Sequence, residues 1–177
     1  MKTVNEMIDT ILKHEGGFVN DPDDRGGATN WGITERTYGK FLGRSIPQSI
    51  LIDLIEHMPQ HTARMIYKED YYYYPKIDML DEYVQPVVFD MAVNHGPDRA
   101  VRILQRAINQ LMGGQGRIVE DGKIGPNTSG MTSANEIGIV EAICNERAKF
   151  YRTIATNNPR QSKFLNGWLK RCESFRP

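Results

Sequence analysis

Glu15-Gly-Gly-Phe-Val-Asn-Asp-Pro-Asp-Asp-Arg-Gly-Gly-Ala-Thr-Asn-Trp-Gly-Ile-Thr34 is the stretch around which the chain is organised. A helical segment runs into it from the N-terminal side. Thr3 and Glu6, three residues apart, form a capping box, and Val4, Met7, Ile8, Ile11 and Leu12 recur at helical spacing to make one apolar face. Gly16-Gly17 supplies the stop, because glycine readily takes the left-handed conformation that ends helices. Glu15 therefore falls in the last turn. Beyond it the periodicity is lost. Asp21-Pro22 and Arg25-Gly26-Gly27 read as turns flanking short extended pieces, which predicts a small hairpin or irregular sheet.

Working outward, Thr34 is placed to cap a short helix ending near Leu42, with Gly43 beyond it. Pro47 opens another helix carrying Ile50, Leu51, Leu54 and Ile55. Pro59 ends that pattern, and a further helix spans roughly Gln60 to Tyr73 before Pro75. The run from Pro86 to Gly96 is apolar on nearly every side and reads as a buried central helix. Val101, Leu104, Ala107, Ile108 and Leu111 carry the next helix, ended by Gly113-Gly114. Asp121 to Pro126 is a turn or a minimal two-stranded element. A long helix is expected from about Asn135 to Thr156, and a last one from about Ser162 to Phe175. About eight helices against one small β element make the chain mainly α (α+β), with a glycine-rich lobe near its N-terminus. The expected division is a first region at 1–84 and a second helical region at 85–177, packed as one globular unit.

Composition excludes several function classes. The formal net charge is zero, and Lys and Arg are scattered, which argues against nucleic acid as the main partner. No window approaches the roughly 20 apolar residues of a membrane span, and the acid-interrupted N-terminus lacks the apolar core of a secretory signal. Stable membrane insertion is not expected, and a monomer is. Cys144 and Cys172 have neither metal-ligand nor redox spacing and read as two reduced thiols. His57 and His61 straddle Pro59 and, with His14, lack ligand company, so no metal and no cofactor is expected.

The density of carboxylates and glycines in 15–34 suggests a site. A glutamate at a helix C-terminus faces the negative end of the helix dipole, which disfavours its ionised form. Partial burial against Phe18 or Trp31 pushes the same way. Glu15 thus suits a general acid that protonates a glycosidic oxygen. Asp24, nine residues on across a turn, is the candidate second carboxylate, in competition with Asp21 and Asp23. Either the wider separation of an inverting glycosidase or the closer one of a retaining enzyme is open to a connection of this length. Thr29 either positions a water or fills a β position.

Glu15, eight residues, Asp24, four residues and Thr29 resemble the Glu–Asp–Thr spacing of bacteriophage-type lysozymes. The full string EGGFVNDPDDRGGATNWGIT is similar to the opening signature of glycoside hydrolase family 108, the N-acetylmuramidases that include phage endolysins. The segments at Ile66–Asp78, Val87–Asn109, Asp121–Pro126 and Phe164–Arg171 resemble the same family, the later ones its peptidoglycan-binding region. Tyr71 to Tyr74 depart from an expected Tyr-Trp pair, and Gly113 to Glu120 is longer and more polar than the pattern. The resemblance implies a lysozyme-like fold and hydrolysis of the β-1,4 bond between N-acetylmuramic acid and N-acetylglucosamine. In it Glu15 is the general acid, Asp24 stabilises the oxocarbenium ion or activates water, and Thr29 holds that water. The partner is then the glycan strand of peptidoglycan. The enzyme is expected in the host bacterial cytoplasm until a holin-like pore releases it to the wall. A lytic transglycosylase and a non-catalytic wall-binding or secretion-assisting protein are the alternatives.

Among other candidates, Trp31 is either a sugar-stacking ring or a lobe-core aromatic, and Asn94 a contact for a sugar N-acetyl group. His95 is expected to cap its helix, and at least one ring of Tyr71 to Tyr74 to be exposed.

Overall fold

Thr3 and Glu6 close the capping box that starts α1 (Val4–His14): the Thr3 amide donates to Glu6 Oε2 at 2.7 Å and the Glu6 amide to Thr3 Oγ1 at 3.3 Å. These bonds favour the ionised carboxylate and hold the Glu6 carboxyl below its usual range. Met7, Ile8, Ile11 and Leu12 are buried on one face, as their spacing predicts. The computed structural model describes residues 2–14, 16–20, 27–43, 45–113, 117–134 and 138–177, with His14 and Ala134 by backbone alone. The chain divides into two units, Lys2–Asp70 and Tyr71–Pro177.

In the first unit, β1 (Thr29–Asn30) and β2 (Ile33–Thr34) pair antiparallel, Thr29 opposite Thr34 and Asn30 opposite Ile33. Thr34 also caps α2 (Glu35–Leu42) by accepting from the Thr37 amide at 3.2 Å, and Gly43, at φ 68°, closes that helix in the left-handed conformation. α3 (Gln48–Glu56) packs on α2 and β1. α4 (Gln60–Ile66) is tied to α1 by the ion pair between Arg64 and Asp9. The helix expected to run from Gln60 to Tyr73 changes character at Tyr67, and Tyr67–Tyr73 is a π-helical turn.

In the second unit, α5 (Gln85–His95) buries every residue from Val87 to Ala92, so its apolar sequence has no solvent side. α6 (Pro97–Leu111) packs on α5 and on α8 (Ile139–Asn157), and α8 packs on α9 (Leu165–Glu173). Three expectations are corrected here, and one left open is resolved. Pro126–Ala134 forms α7, a helix of small and polar residues with no apolar stripe to announce it. Of the two readings of the segment before it, the turn holds: residues 121–125 bend without strand pairing. The long helix starts at Ile139 after Gly138, whose φ of 93° suits glycine, whereas Asn135 lies outside the described residues. The last helix is shorter than expected, because Pro159–Phe164 winds as a 3₁₀ turn before Leu165. The described residues thus hold nine α-helices, one more than anticipated. None is long and apolar enough to cross a membrane.

The centre of this unit is charged. Asp90, on α5, accepts from Arg147 Nη2 of α8 at 2.6 Å and from Arg171 Nη2 of α9 at 2.7 Å. Arg147 is fully buried, donates from Nε to Tyr151 Oη at 3.2 Å, and lies over the rings of Tyr151 and Phe175. Cys144 and Cys172 are both free and buried, with Cys144 Sγ donating to the Cys172 carbonyl at 3.3 Å. Burial pushes the Cys144 thiol up to about 11, so it stays protonated and inert.

Two outcomes follow from this core. Asp90→Ala strands the Arg147 guanidinium among apolar groups and should cost about 3–5 kcal/mol in urea unfolding; a loss under about 1 kcal/mol would show that the triad is not what holds α5 to α8. The His95 imidazole, desolvated and facing Arg147, is lowered from 6.5 to about 4. An unfolded chain takes up this proton near 6.5, the folded chain only near 4, so stability is full above 6.5 and falls as pH drops from 6.5 to 4. The loss is at most roughly 3 kcal/mol. His95→Phe should flatten the fall in urea midpoint between pH 7 and pH 4.5, and an unchanged fall would assign it to other groups.

Candidate active site

The described part of the site is a hairpin whose two-residue turn, Trp31-Gly32, has positive φ at both positions (52° and 75°). This is the turn whose twist matches paired strands, and it normally demands Asn-Gly or Gly-Gly. A tryptophan there is uncommon. Its surroundings hold it: the indole N–H donates to the Met58 carbonyl at 3.1 Å, and the Tyr67 hydroxyl donates to the Trp31 carbonyl at 2.9 Å. Next to it, buried Asn30 donates from Nδ2 to the carbonyls of Ile55 and Glu56 at 2.9 and 3.0 Å, satisfying the C-terminal end of α3. Asn30 and Tyr67 escaped the sequence reading. The Asn-Trp-Gly triplet was the available signal, since a polar residue before a Trp-Gly turn has a backbone to satisfy.

Thr29 is half-buried in β1. Its amide donates to the Val19 carbonyl and its carbonyl accepts from the Val19 amide, both at 2.8 Å. The bridge joins the two ends of the segment that carries Asp21, Asp23 and Asp24. Those three, and Glu15, lie outside the described residues. Gly27, at φ 73°, sits where a Cβ would come within 2.8 Å of the Glu35 carboxyl, so a larger residue would strain the backbone and push the Glu35 side chain aside. Glu35 is a carboxylate the sequence reading passed over. Its Oε1 accepts from Gln48 at 3.1 Å, and its Oε2 is buried with no hydrogen bond among the described residues.

The structure brings Thr29 and Trp31 onto one hairpin of the first unit. Trp31 keeps a half-exposed ring, with its polar end already used. Asn94 belongs to the second unit, where it is exposed and donates from Nδ2 to the Asp90 carbonyl at 2.6 Å, a bond along its own helix. His95 does not cap α5, because Gly96 does. Its ring instead packs between Phe150 and Tyr151, with centroids 5.1 Å from each. Of the tyrosines, Tyr72 is buried and donates to Gln85 Oε1 at 2.6 Å, whereas Tyr74 is 83% exposed. Among the described residues no group of three or more His, Cys, Asp or Glu side chains is placed to hold a metal ion.

The family model described as Glycosyl hydrolase 108 matches residues 8–96, and the one described as Predicted Peptidoglycan domain matches residues 99–173. Among solved structures, that of Brucella abortus SagA is similar, with a TM-score of 0.74 and 26% identity over 97% of this chain and 94% of that one. No curated protein matches.

Asn30→Ala removes both bonds to the end of α3: the Ile55 carbonyl keeps the Met58 amide at 3.2 Å, whereas the part-buried Glu56 carbonyl loses the side-chain amide. The substitution should destabilise the first unit by about 1–3 kcal/mol for that orphaned group, read as a lower urea midpoint. A midpoint equal to wild type would mean that the hairpin is not held through Asn30.

Proposed function

The chain belongs to the glycosyl hydrolase 108 family, and on that premise we propose that it hydrolyses the β-1,4 bond between N-acetylmuramic acid and N-acetylglucosamine, with Glu15 as proton donor. It is a glycoside hydrolase acting on peptidoglycan, with a lysozyme-like fold. The observation that carries the finer assignment is the Glu15, Asp24, Thr29 spacing, which lies wholly within the matched segment.

The chemistry follows from position. Glycosidic cleavage needs a carboxylic acid still protonated near neutral pH on one side of the scissile bond, and a carboxylate on the other. Glu15 directly follows the last residue of α1, where the unpaired carbonyls at a helix C-terminus disfavour a second negative charge. It is assigned the protonated partner. Asp24 then serves as the ionised one, stabilising positive charge at the anomeric carbon or activating water. Thr29, with its backbone fixed to Val19, offers a hydroxyl on a rigid strand to hold that water. Trp31 is assigned a sugar-facing role through its ring face, since its N–H is taken by Met58, and Asn94 a contact to an N-acetyl group. As in the phage lysozymes it resembles, the enzyme accumulates in the host bacterial cytoplasm and reaches the wall when a separate pore opens.

Glu15→Gln keeps shape and removes the acid. Lysis of chloroform-permeabilised cells should fall about 10²- to 10⁴-fold, with the urea midpoint unchanged. Lysis at the wild-type rate would rule Glu15 out as the acid and favour a wall-binding protein without this chemistry.

A further inference from the structure

On α6, Arg102, Gln105, Arg106 and Asn109 recur at spacings of three and four, and all four reach one loop. Gln105, 1% exposed, donates from Nε2 to Asp121 Oδ1 at 2.9 Å and to the Lys123 carbonyl at 3.1 Å, and accepts from the Gly122 amide at 2.9 Å. Asn109 exchanges two hydrogen bonds with the backbone of Ile118, at 2.9 and 3.0 Å. Arg102 donates to the carbonyls of Glu120 and Asp121, and Arg106 pairs with Glu120 at 3.1 Å. At Gly122, φ is 75° and a Cβ would collide with Asp98. Residues 118–123 are therefore a fixed shape with little left to order on binding, the condition for a preformed site.

Two cavities of about 630 and 410 Å³ run along this loop and share Ile118, Pro126 and Asn127. Their lining combines apolar Ile118, Val119 and Ile124 with three cations, Lys76, Lys123 and Arg117, against one carboxylate, Asp121. Asp121 Oδ1 already accepts from Gln105 and from the Lys123 amide. Lys76 and Arg117 make no ion pair among the described residues. In a chain of zero net charge, this is a local excess of unpaired cations over apolar surface. Among the described residues no lining side chain is aromatic, so they offer no ring on which a sugar face stacks.

We infer that this groove binds the peptide stems of peptidoglycan, which carry several free carboxylates, rather than its sugars. The inference rests on peptidoglycan being the polymer this enzyme meets. Lys76 and Arg117 pair with stem carboxylates, Asn127 supplies hydrogen bonds to the peptide backbone, and Ile118 and Val119 take its alkyl groups. A groove of this kind holds the chain on the wall through the peptides while leaving the glycan to the first unit's chemistry.

The test is calorimetric titration of the full wild-type chain at low salt with three soluble probes. These are the free tetrapeptide stem (L-alanine, D-glutamate, diaminopimelate, D-alanine), the same stem with its carboxylates amidated, and a peptide-free N-acetylglucosamine oligomer. Binding of the free stem is expected, weakening at least ten-fold on amidation and at least ten-fold in a Lys76→Ala/Arg117→Ala double variant. Both side chains are unpaired among the described residues, so the variant should keep the wild-type urea midpoint; should it not, the amidated stem on the wild-type chain decides the question. No binding of the free stem, or binding indifferent to amidation, would overturn the proposal. No bond is cleaved in this titration, so failure of Glu15 as the acid would leave its result intact.

Discussion

Asp90 places a carboxylate where only 10% of its side chain is exposed, and the packing of α5, α8 and α9 is the answer to that group. Removing a carboxylate from water costs several kcal/mol even after the surroundings relax. Two guanidinium groups meet it, one of them bidentate, and their shared plane geometry sets where α8 and α9 lie against α5. The positive charge left over is spread onto the faces of Tyr151 and Phe175. His95, whose proton affinity is lowered first by its burial, feels the same charge as a second cause. Apolar side chains alone would hold these helices together without choosing a single arrangement; the triad chooses one.

The first unit solves a similar problem without charge. Asn30 is buried, and its amide closes the open carbonyls at the end of α3. The hairpin that carries Thr29 is thereby fastened to a helix, and the unfavourable backbone of Trp31 is held by bonds at both its ends. A small lobe of two-residue strands has almost no ladder of its own. Its rigidity comes from side chains reaching outward. For the role proposed for Thr29 this matters, because a hydroxyl that is to hold a water gains from a backbone that does not move.

What the sequence made legible is what local chemistry decides. The Thr3/Glu6 box, the Thr34 cap and Gly43 place α1 and α2 within a residue, because each signal acts over one helical turn. The unbroken apolar run at α5 announced burial on all sides. α7 stayed hidden because Pro126 to Ala134 has no apolar stripe. The π-helical turn at Tyr67, the 3₁₀ turn at Pro159 and the late start of α8 at Ile139 are set by tertiary packing or by one glycine, and periodicity is blind to both. At the site, spacing singled out Glu15, Asp24 and Thr29. Of these the described residues include Thr29, on a strand opposite Val19. The partners of Asn30 and Glu35 were illegible, since they lie 25 and 13 residues away.

Hydrolysis by a glutamic acid and an ordered water is distinguished from other peptidoglycan cleavages by the ends it leaves. Mass spectrometry of muropeptides released from purified peptidoglycan by the wild-type enzyme therefore bears most directly on the assignment of Glu15, Asp24 and Thr29. Products ending in reducing N-acetylmuramic acid are expected, since water adds to the anomeric carbon. Products ending in anhydro-muramic acid, formed when the sugar closes on itself without water, or in reducing N-acetylglucosamine, would contradict it.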